Sequence, residues 1–353
     1  MQVRKIGIAA FTDKGRALAE QISLRLSEDT EILWYQEHLK SWCADCFAQA
    51  SGILFIGACG IAVRTIAPFL KSKTTDPAVL VMDEKGQFVI SLLSGHLGGA
   101  NELTAEIAEL TGAVPVITTA SDVNGKTAVD VLAKKNGLKI GSMSDAKKMA
   151  AAIVRGEQVG IWCSGQTEGK LPEEFVLLES LENISHTAVE HLLWISEQLP
   201  QKAELQTHLS GRAGIVLHLI PRNVVLGIGC RRNKTEEEII HEVSRVLEEE
   251  SIPEEALVGA ASIDLKKEEQ GILALCKRYG ISFTTYTANE LAQAEGEFEP
   301  SEFVKRTTGV DNVCERAALL AAGKNARLIR KKYAANGITV ALAVREWKIS
   351  FEK

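Results

Sequence analysis

KIGIAAFTDKGRALAEQISLRLSE, residues 5–28, is the stretch that decides the fold class. Its first seven residues are mainly apolar and have the length of a strand. Thr12 follows with a side-chain oxygen that can cap a helix. The spacing of Leu18, Ile22 and Leu26 then places three apolar side chains on one face of that helix. A strand that leads directly into a capped amphipathic helix is typical of a layered α/β sheet.

The same alternation continues outward along the first part of the chain. EILWYQ, GILFIGA, AVLVMD, QFVISLL and AVPVITT have the length and composition of strands, and helical patterns lie between most of them. Residues 83–86 separate two alternating runs without room for a helix, which predicts a hairpin inserted into an otherwise parallel sheet.

A second regular unit begins near Pro221, after a stretch in which the pattern weakens. It reads as strand, glycine-rich turn, capped helix, strand, helix and strand, followed by one long helix and two paired strands. We therefore predict an α/β protein with two three-layer α/β/α domains, residues 1–137 and 221–353, whose sheets are mainly parallel or mixed. A less regular middle region, residues 138–220, joins them.

Composition excludes several classes of function. The net charge of −6 offers no basic surface for a nucleic acid, and no apolar run approaches the ~20 residues that span a bilayer. The N-terminal residues lack the features of a signal peptide, so we expect a cytoplasmic protein. Seven cysteines fit a reducing compartment. Cys43 and Cys46 form a C-x-x-C without a second ligand pair, which favours two small buried side chains over a metal or redox site.

Residues 120–127, ASDVNGKT, have the spacing of a phosphate-binding loop with Ala120 in place of the first glycine. Asp122 would place a carboxylate where a polyphosphate must sit, and Asp83, the nearest candidate for magnesium, lies in the predicted hairpin turn. Two other interpretations remain open. Ser121 or Asp122 could cap nearby amides at a strand-to-helix corner, or this corner could belong to a different site.

Three strand-to-helix corners favour that different site. In a doubly wound sheet such corners gather at the carboxyl ends of the strands, where helix N-termini attract anions. We expect the three to line one cleft. The candidate binding residues are Gly57, Cys59, Gly60 and Arg64 in the first corner, Ser94, Gly95, Gly98, Gly99 and Asn101 in the second, and Ser121 and Lys126 in the third.

His96 is the main candidate for a catalytic residue. It lies between glycines at a predicted helix start, and an imidazole that titrates near neutral pH can transfer protons. In the second unit, Arg231 and Arg232 at a strand end suit carboxylates or phosphates. Cys230 could be a nucleophile, although a small buried side chain is the plainer interpretation. Further candidates for binding in this unit are Gly229, Cys230, Arg231, Asp264, Lys266, Thr308 and Gly309, the last two at a predicted helix start.

These motifs together resemble one family. GACGIAVRTIAP, DPAVLVMDEKGQFVISLLSGHLGGANELT and PVITTASDVNGKTAVD in the first half, and GIGCRR, ASIDLKKEE and TTGVDNVCERAAL in the second, are similar to CbiG, the cobalt-precorrin-5A hydrolase family of cobalamin biosynthesis. The resemblance covers nearly the whole chain. It is most specific over residues 52–130 and 224–320.

The resemblance implies hydrolysis of a lactone on a cobalt-containing tetrapyrrole, with release of acetaldehyde. It implies no external cofactor, because the substrate carries the cobalt and can act as electron sink. The partners would be this substrate and other cobalamin-pathway enzymes, without nucleic acid or membrane, and a homodimer is compatible with the sequence. His96 would activate water, Asp122 would orient His96 or move a proton, and amides of the 98–99 or 57–60 turn would stabilise the oxyanion.

Two other functions stay open at this point. A corrinoid-binding carrier would use the same residues without catalysis. A phosphotransferase with a phosphate loop would instead require Lys126 for ATP binding.

Overall fold

The computed structural model describes residues 3–72, 75–180, 184, 187–201, 205, 209 and 214–352. The chain divides into two compact units, residues 1–131 and 132–353. The first contains one large sheet and the second contains two, so the mixed α/β class is confirmed. The domain boundaries at residues 137 and 221 stay a prediction. Among the described residues, no helix has both the length and the apolarity needed to cross a membrane.

Unit one is built on a six-stranded sheet of order β2-β1-β3-β4-β5-β6. The strands are β1 (Arg4–Ala10), β2 (Thr30–Trp34), β3 (Gly52–Ile56), β4 (Ala78–Met82), β5 (Phe88–Leu93) and β6 (Val114–Val116). The helices are α1 (Asp13–Arg25), α2 (Leu39–Gln49), α3 (Cys59–Ile66), α4 (Ala100–Thr111), α5 (Ala120–Val123) and α6 (Val129–Lys135), which continues into unit two.

The opening stretch folds as its pattern predicts. Thr12 is the N-cap of α1, and its hydroxyl oxygen accepts a hydrogen bond from the Gly15 amide at 3.1 Å. Helices α1 and α4 bury Ile22 and Ile107 against one face of the sheet, whereas α2 and α3 bury Trp42 and Ile66 against the other. The result is the predicted three-layer arrangement.

The direction of β5 determines where the strand ends lie. Strands β1 to β4 are parallel, but β5 runs antiparallel to β4, with Val79 opposite Leu93 and Met82 opposite Val89. β6 runs parallel to β5. The carboxyl ends of β5 and β6 therefore lie at the opposite edge of the sheet from the carboxyl ends of β1 to β4.

The middle region is more regular than its sequence pattern indicates. Its five-stranded sheet has the order β10-β8-β11-β12-β7, in which only β7 is antiparallel to its neighbour. The elements are β7 (Lys139–Ile140), α7 (Met143–Arg155), β8 (Val159–Cys163), β9 (Gln166–Glu168), β10 (Phe175–Leu177), β11 (His191–Ile195) and β12 (Val216–Ile220).

The last sheet has the order β15-β14-β13-β17-β16, with β13, β14 and β15 parallel. Its elements are β13 (Val224–Cys230), α8 (Glu236–Glu249), β14 (Leu257–Ile263), α9 (Gln270–Tyr279), β15 (Ser282–Tyr286), α10 (Ala288–Ala292), α11 (Glu302–Thr308), α12 (Cys314–Ala322), β16 (Arg327–Ala335) and β17 (Ile338–Val344). β18 (Lys348–Ser350) pairs separately with β9. A capping box of Thr235 and Glu238 begins α8, as its sequence predicts.

One element of this unit was predicted wrongly. The expected single long helix is two helices, because Gly309 adopts a left-handed conformation with φ 86° and ends α11. Thr308 and Gly309 therefore lie at the end of a helix, where the backbone carries partial negative charge. The prediction that they open a helix is wrong.

Candidate functional site

The loop between β5 and α4 presents His96. Ser94 has φ 59° and Gly99 has φ 83°, so the chain turns sharply on both sides of the histidine. Gly98 is packed so closely that an added Cβ would lie 2.3 Å from the Ser94 Cβ and 3.2 Å from the Asp76 carbonyl oxygen. The glycines of this loop therefore serve to hold His96 in a compact turn at the N-terminus of α4.

Three side chains surround the His96 ring. Its Nε2 lies 2.8 Å from Asp122 Oδ2 and 3.0 Å from Ser121 Oγ, while its Nδ1 lies 3.4 Å from Asp130 Oδ1. The side chains of His96 and Asp130 are each 17% exposed, against 41% for Asp122. The second and third predicted corners thus meet at His96, and the arrangement joins a hydroxyl, an imidazole and two carboxylates.

Asp130 is a member of this cluster that sequence reasoning missed. It lies in the first turn of α6, where the helix dipole favours a carboxylate. In the sequence it therefore indicates only the start of a helix. The only signal in the sequence was its place at the end of the motif PVITTASDVNGKTAVD.

The two carboxylates change the titration of His96. Hydrogen bonding to Asp130 is the largest cause that raises the pKa of His96, desolvation opposes it, and Asp122 adds to the rise. A raised pKa makes the neutral imidazole a stronger base. The protonated ring, however, must lose its second proton before it can act as a base.

Asn101 ties the cluster to the sheet. The residue is 7% exposed. Its side chain donates from Nδ2 to Asp122 Oδ2 at 3.1 Å and to Thr119 Oγ1 at 3.0 Å, and its Oδ1 accepts from Ser91 Oγ at 2.7 Å. The end of β5, the start of α4 and the residues before α5 are therefore held by one amide. Asn101 acts here by positioning Asp122.

The stretch ASDVNGKT does not form a phosphate loop. A phosphate loop points successive amides at its ligand, but the amides of residues 123–126 donate to backbone carbonyls of residues 119–122 at 2.8–3.1 Å. α5 is only four residues long, and no side chain caps its start. The Asp83 carboxylate accepts hydrogen bonds from three amides of its own hairpin turn. Of the three interpretations of this stretch, its contacts with His96 favour membership of a different site.

The first corner lies apart from this cluster. β3 ends at the edge of the sheet where β5 begins, and it is followed by Gly57, Cys59, Gly60 and Arg64, whereas Ser94 follows the end of β5. Five residues of strand separate the two edges by roughly 16 Å. The prediction that three corners line one cleft is therefore wrong for the first corner, because the hairpin reverses the sheet direction.

The same reversal limits the choice of oxyanion donor. The Gly57 amide donates to the Met82 carbonyl at 2.8 Å, and the Gly99 amide donates to the His96 carbonyl at 3.0 Å. Cys59 and Gly60 belong to the other edge. The two turns predicted to stabilise the oxyanion are residues 98–99 and 57–60. Among their amides, that of Gly98 alone both lies in the His96 loop and makes no hydrogen bond to the described residues.

The candidates of unit two gather at one edge of the last sheet. Gly229 and Cys230 end β13 and Arg231 follows them. Asp264 and Lys266 follow β14, which runs parallel to β13. A Cβ built on Gly309 would lie 3.5 Å from the Cβ of Ala288, just beyond β15. Beside them is a cavity of about 540 Å³. It is lined by Arg232 and by residues 233–236, 265, 268–271 and 274.

Two of these candidates are chemically constrained. Lys266 forms an ion pair with Glu269 at 2.9 Å, so its charge is partly compensated. Burial raises the pKa of the Cys230 thiol to about 11, which disfavours the thiolate needed by a nucleophile. Cys230 is therefore a small strand-end side chain.

The C-x-x-C pair is buried in α2. Burial raises the pKa of Cys43 to about 11 and that of Cys46 to about 12, and both side chains pack in the core between α2 and the sheet. Within the described ranges, no group of three or more histidine, cysteine or carboxylate side chains is arranged to hold a metal ion.

Known proteins with similar sequences identify the family. Three family models match in succession: Cobalamin synthesis G N-terminal over residues 41–122, Cobalamin biosynthesis central region over 127–221, and Cobalamin synthesis G C-terminus over 224–343. A cobalt-precorrin-5A hydrolase from Salmonella typhimurium is 35% identical over 356 residues, which cover 96% of this chain and 97% of the relative.

Two further relatives agree. A cobalt-precorrin-5A hydrolase from Priestia megaterium is 32% identical over 323 residues, or 90% of this chain and 84% of that protein. Protein CobE from Sinorhizobium sp is 38% identical over 121 residues, or 34% of this chain and 79% of CobE. Neither a carrier nor a phosphotransferase is favoured by these matches. The chain belongs to the CbiG family of cobalt-precorrin-5A hydrolases and has its role in cobalamin biosynthesis.

Proposed function

We propose that this protein opens the lactone ring of cobalt-precorrin-5A and releases acetaldehyde to give cobalt-precorrin-5B, in anaerobic cobalamin biosynthesis. Support comes from relatives of that name which match nearly the whole chain. The observation that carries the chemistry is His96, held at 2.8 Å from Asp122 and 3.4 Å from Asp130.

Lactone hydrolysis requires a base and a donor for the developing oxyanion. Asp130 faces Nδ1 of His96, and the proposed reaction requires the neutral ring to keep its proton on that nitrogen so that the lone pair of Nε2 can accept another. In this proposal His96 accepts the proton that the attacking nucleophile loses, and the Gly98 amide of the same loop donates a hydrogen bond to the oxyanion.

Release of acetaldehyde requires a second proton transfer. Once the lactone is open, the freed alcohol loses its proton, its carbon–carbon bond to the macrocycle breaks, and the electron pair passes to the macrocycle. Asp122 is the more exposed carboxylate of the cluster and contacts Nε2 of His96, so these two groups accept and return the proton. The cobalt of the substrate supplies the electron sink, and we propose no external cofactor.

The remaining assignments follow from this role. We propose a cytoplasmic protein whose partners are the cobalt tetrapyrrole and other enzymes of the pathway, without nucleic acid or membrane, and compatible with a homodimer. The carboxylates of the macrocycle suit cationic and amide groups. Gly57, Cys59, Gly60, Arg64, Lys126 and the unit-two residues Gly229, Arg231, Asp264, Lys266, Thr308 and Gly309 stay predicted binding residues.

The test is acetaldehyde release by the purified protein, incubated anaerobically with the cobalt lactone and without nucleotide. We expect stoichiometric release, and we expect His96→Gln to lower the rate by about 10²–10⁴-fold, the usual contribution of general acid–base catalysis. His241→Gln, which changes an exposed histidine of α8, is the matched control. A changed corrinoid spectrum without acetaldehyde would contradict the hydrolase and indicate a carrier.

A further inference from the structure

We propose that Ser121 is the nucleophile that opens the lactone, with His96 as its base and Asp130 as the residue that orients His96. This inference rests on the proposed hydrolase function and adds a covalent intermediate to it. Ser121 Oγ lies 3.0 Å from His96 Nε2, and Asp130 Oδ1 lies 3.4 Å from His96 Nδ1.

This order of contacts is the one that activates a serine. A hydroxyl is a weak nucleophile until a base within hydrogen-bond reach removes its proton, and the base needs a third group on its far nitrogen to fix its tautomer. Asp130 faces that far nitrogen, and its side chain and that of His96 are both 17% exposed, so water competes little for the contact. Ser121 is partly buried in the short helix α5.

Asp122 competes with Ser121 for the same nitrogen. When the ring carries both protons, Nε2–H donates to Asp122 at 2.8 Å, and Nε2 cannot then accept the serine proton. Loss of that proton frees the lone pair for Ser121. Asp122 on α5 and Asp130 on α6 are the charged groups that raise the pKa of His96, so acylation should increase as the pH rises through this pKa.

The proposed reaction forms an ester of Ser121 and then hydrolyses it. Ser121 Oγ attacks the lactone carbonyl while Nε2 takes its proton, the ring C–O bond breaks, and His96 returns the proton to the departing alkoxide. The result is an ester between Ser121 and the side chain of the macrocycle. Water then attacks this ester, Nε2 takes the water proton, and the serine oxygen leaves with that proton.

An alkyl fluorophosphonate probe tests Ser121 without the tetrapyrrole, because it phosphonylates an activated serine and releases fluoride. Mass spectrometry of the labelled, digested protein should place the label on Ser121. We expect Ser121→Ala to lose the label and to lower lactone turnover by about 10³-fold or more. Ser27→Ala, an exposed serine of unit one, should label like the wild type.

The two carboxylates give variants with opposite effects. Asp130→Asn should slow labelling at every pH, because the imidazole loses its orienting partner. Asp122→Asn should keep the label and move the rising limb of the pH–labelling curve to lower pH, because the carboxylate that competes for Nε2 is gone. Its acetaldehyde release should still fall, since the proposed function uses Asp122 in the later step.

The outcomes separate this inference from the function it rests on. Acetaldehyde release at the wild-type rate by folded Ser121→Ala overturns the inference and leaves the hydrolase intact. Loss of labelling in Asp122→Asn also overturns it, because Asp122 would then be the base. A label on Ser121 in a protein that releases no acetaldehyde supports the nucleophile and overturns the proposed reaction.

Discussion

Replacement of Gly98 by alanine tests whether the packing of the β5–α4 loop sets the position of His96. The added Cβ would lie 2.3 Å from the Ser94 Cβ, 2.8 Å from the Ser94 carbonyl oxygen and 3.2 Å from the Asp76 carbonyl oxygen. Carbon atoms in contact lie about 3.5–4.0 Å apart, so Ser94 would have to move by more than about 1 Å.

That movement is costly because two of the three obstructing atoms belong to the backbone, and no change of rotamer displaces them. Ser94 also already adopts φ 59°, where a residue with a side chain has little freedom. Overpacking costs about 1–3 kcal/mol, and we expect a loss of about 2–3 kcal/mol in the free energy of unfolding for Gly98→Ala. Displacement of His96 by about 1 Å should lower acetaldehyde release by about 100-fold.

Urea unfolding measures the first effect, and anaerobic turnover of the cobalt lactone measures the second. Gly60→Ala is the control for the unfolding measurement, because the nearest atom to its Cβ is Arg64 Nη1 at 3.8 Å and the residue lies in the first turn of α3. Alanine there should be neutral or should stabilise by up to about 1 kcal/mol. If Gly98→Ala unfolds and turns over like the wild type, tight packing of this loop does not position His96.

Four further outcomes are expected. Asn101→Ala should lower the free energy of unfolding, measured in urea, by about 1–3 kcal/mol, because buried partners lose their hydrogen bonds. The pKa of His96 is raised in the folded protein, so the protonated ring stabilises the fold fully below its unfolded pKa of about 6.5. This contribution is lost as the pH rises through the folded pKa. His96→Gln should therefore destabilise the protein more in acid than in alkali. Iodoacetamide should alkylate the exposed Cys59 in the native protein but Cys46, whose pKa is about 12, only after unfolding. Calorimetry should detect no ATP binding by the wild type or by Lys126→Ala, because the amides of that turn are already hydrogen-bonded.

The first sheet could be predicted because its signals are local. A strand, a capping threonine and an apolar stripe determine β1 and α1, and an N-cap with its acidic partner determines the start of α8 in the same way. The hairpin of residues 83–86 was also predicted and is confirmed. Its consequence could have been derived as well, since an antiparallel strand in a parallel sheet must end at the opposite edge.

The parts that could not be predicted depend on contacts between distant residues. Asp130 reads as an ordinary first-turn carboxylate, and only the fold brings it to Nδ1 of His96 across 34 positions of sequence. The middle sheet was missed because its strands are short and fully buried, as in HLLWI and VLHLI, so they lack the alternation that identifies a strand with one exposed face. The end of α11 at Gly309 was missed because Gly can either interrupt a helix or lie within it.

The reversal of β5 also changes which charges can act on a ligand near His96. Arg64 was predicted to bind the ligand because it is a cation near a helix N-terminus. Its Nη1 lies 3.8 Å from a Cβ built on Gly60. It lies at the edge where β3 ends, however, whereas His96 follows the end of β5 at the opposite edge. Lys126 instead belongs to the turn that begins at Ser121, whose carbonyl its amide contacts at 2.8 Å. We therefore expect a substrate whose lactone reaches His96 to place its carboxylates closer to Lys126 than to Arg64. Lys126, which a phosphate loop would use for ATP, is thus the better candidate for binding the macrocycle.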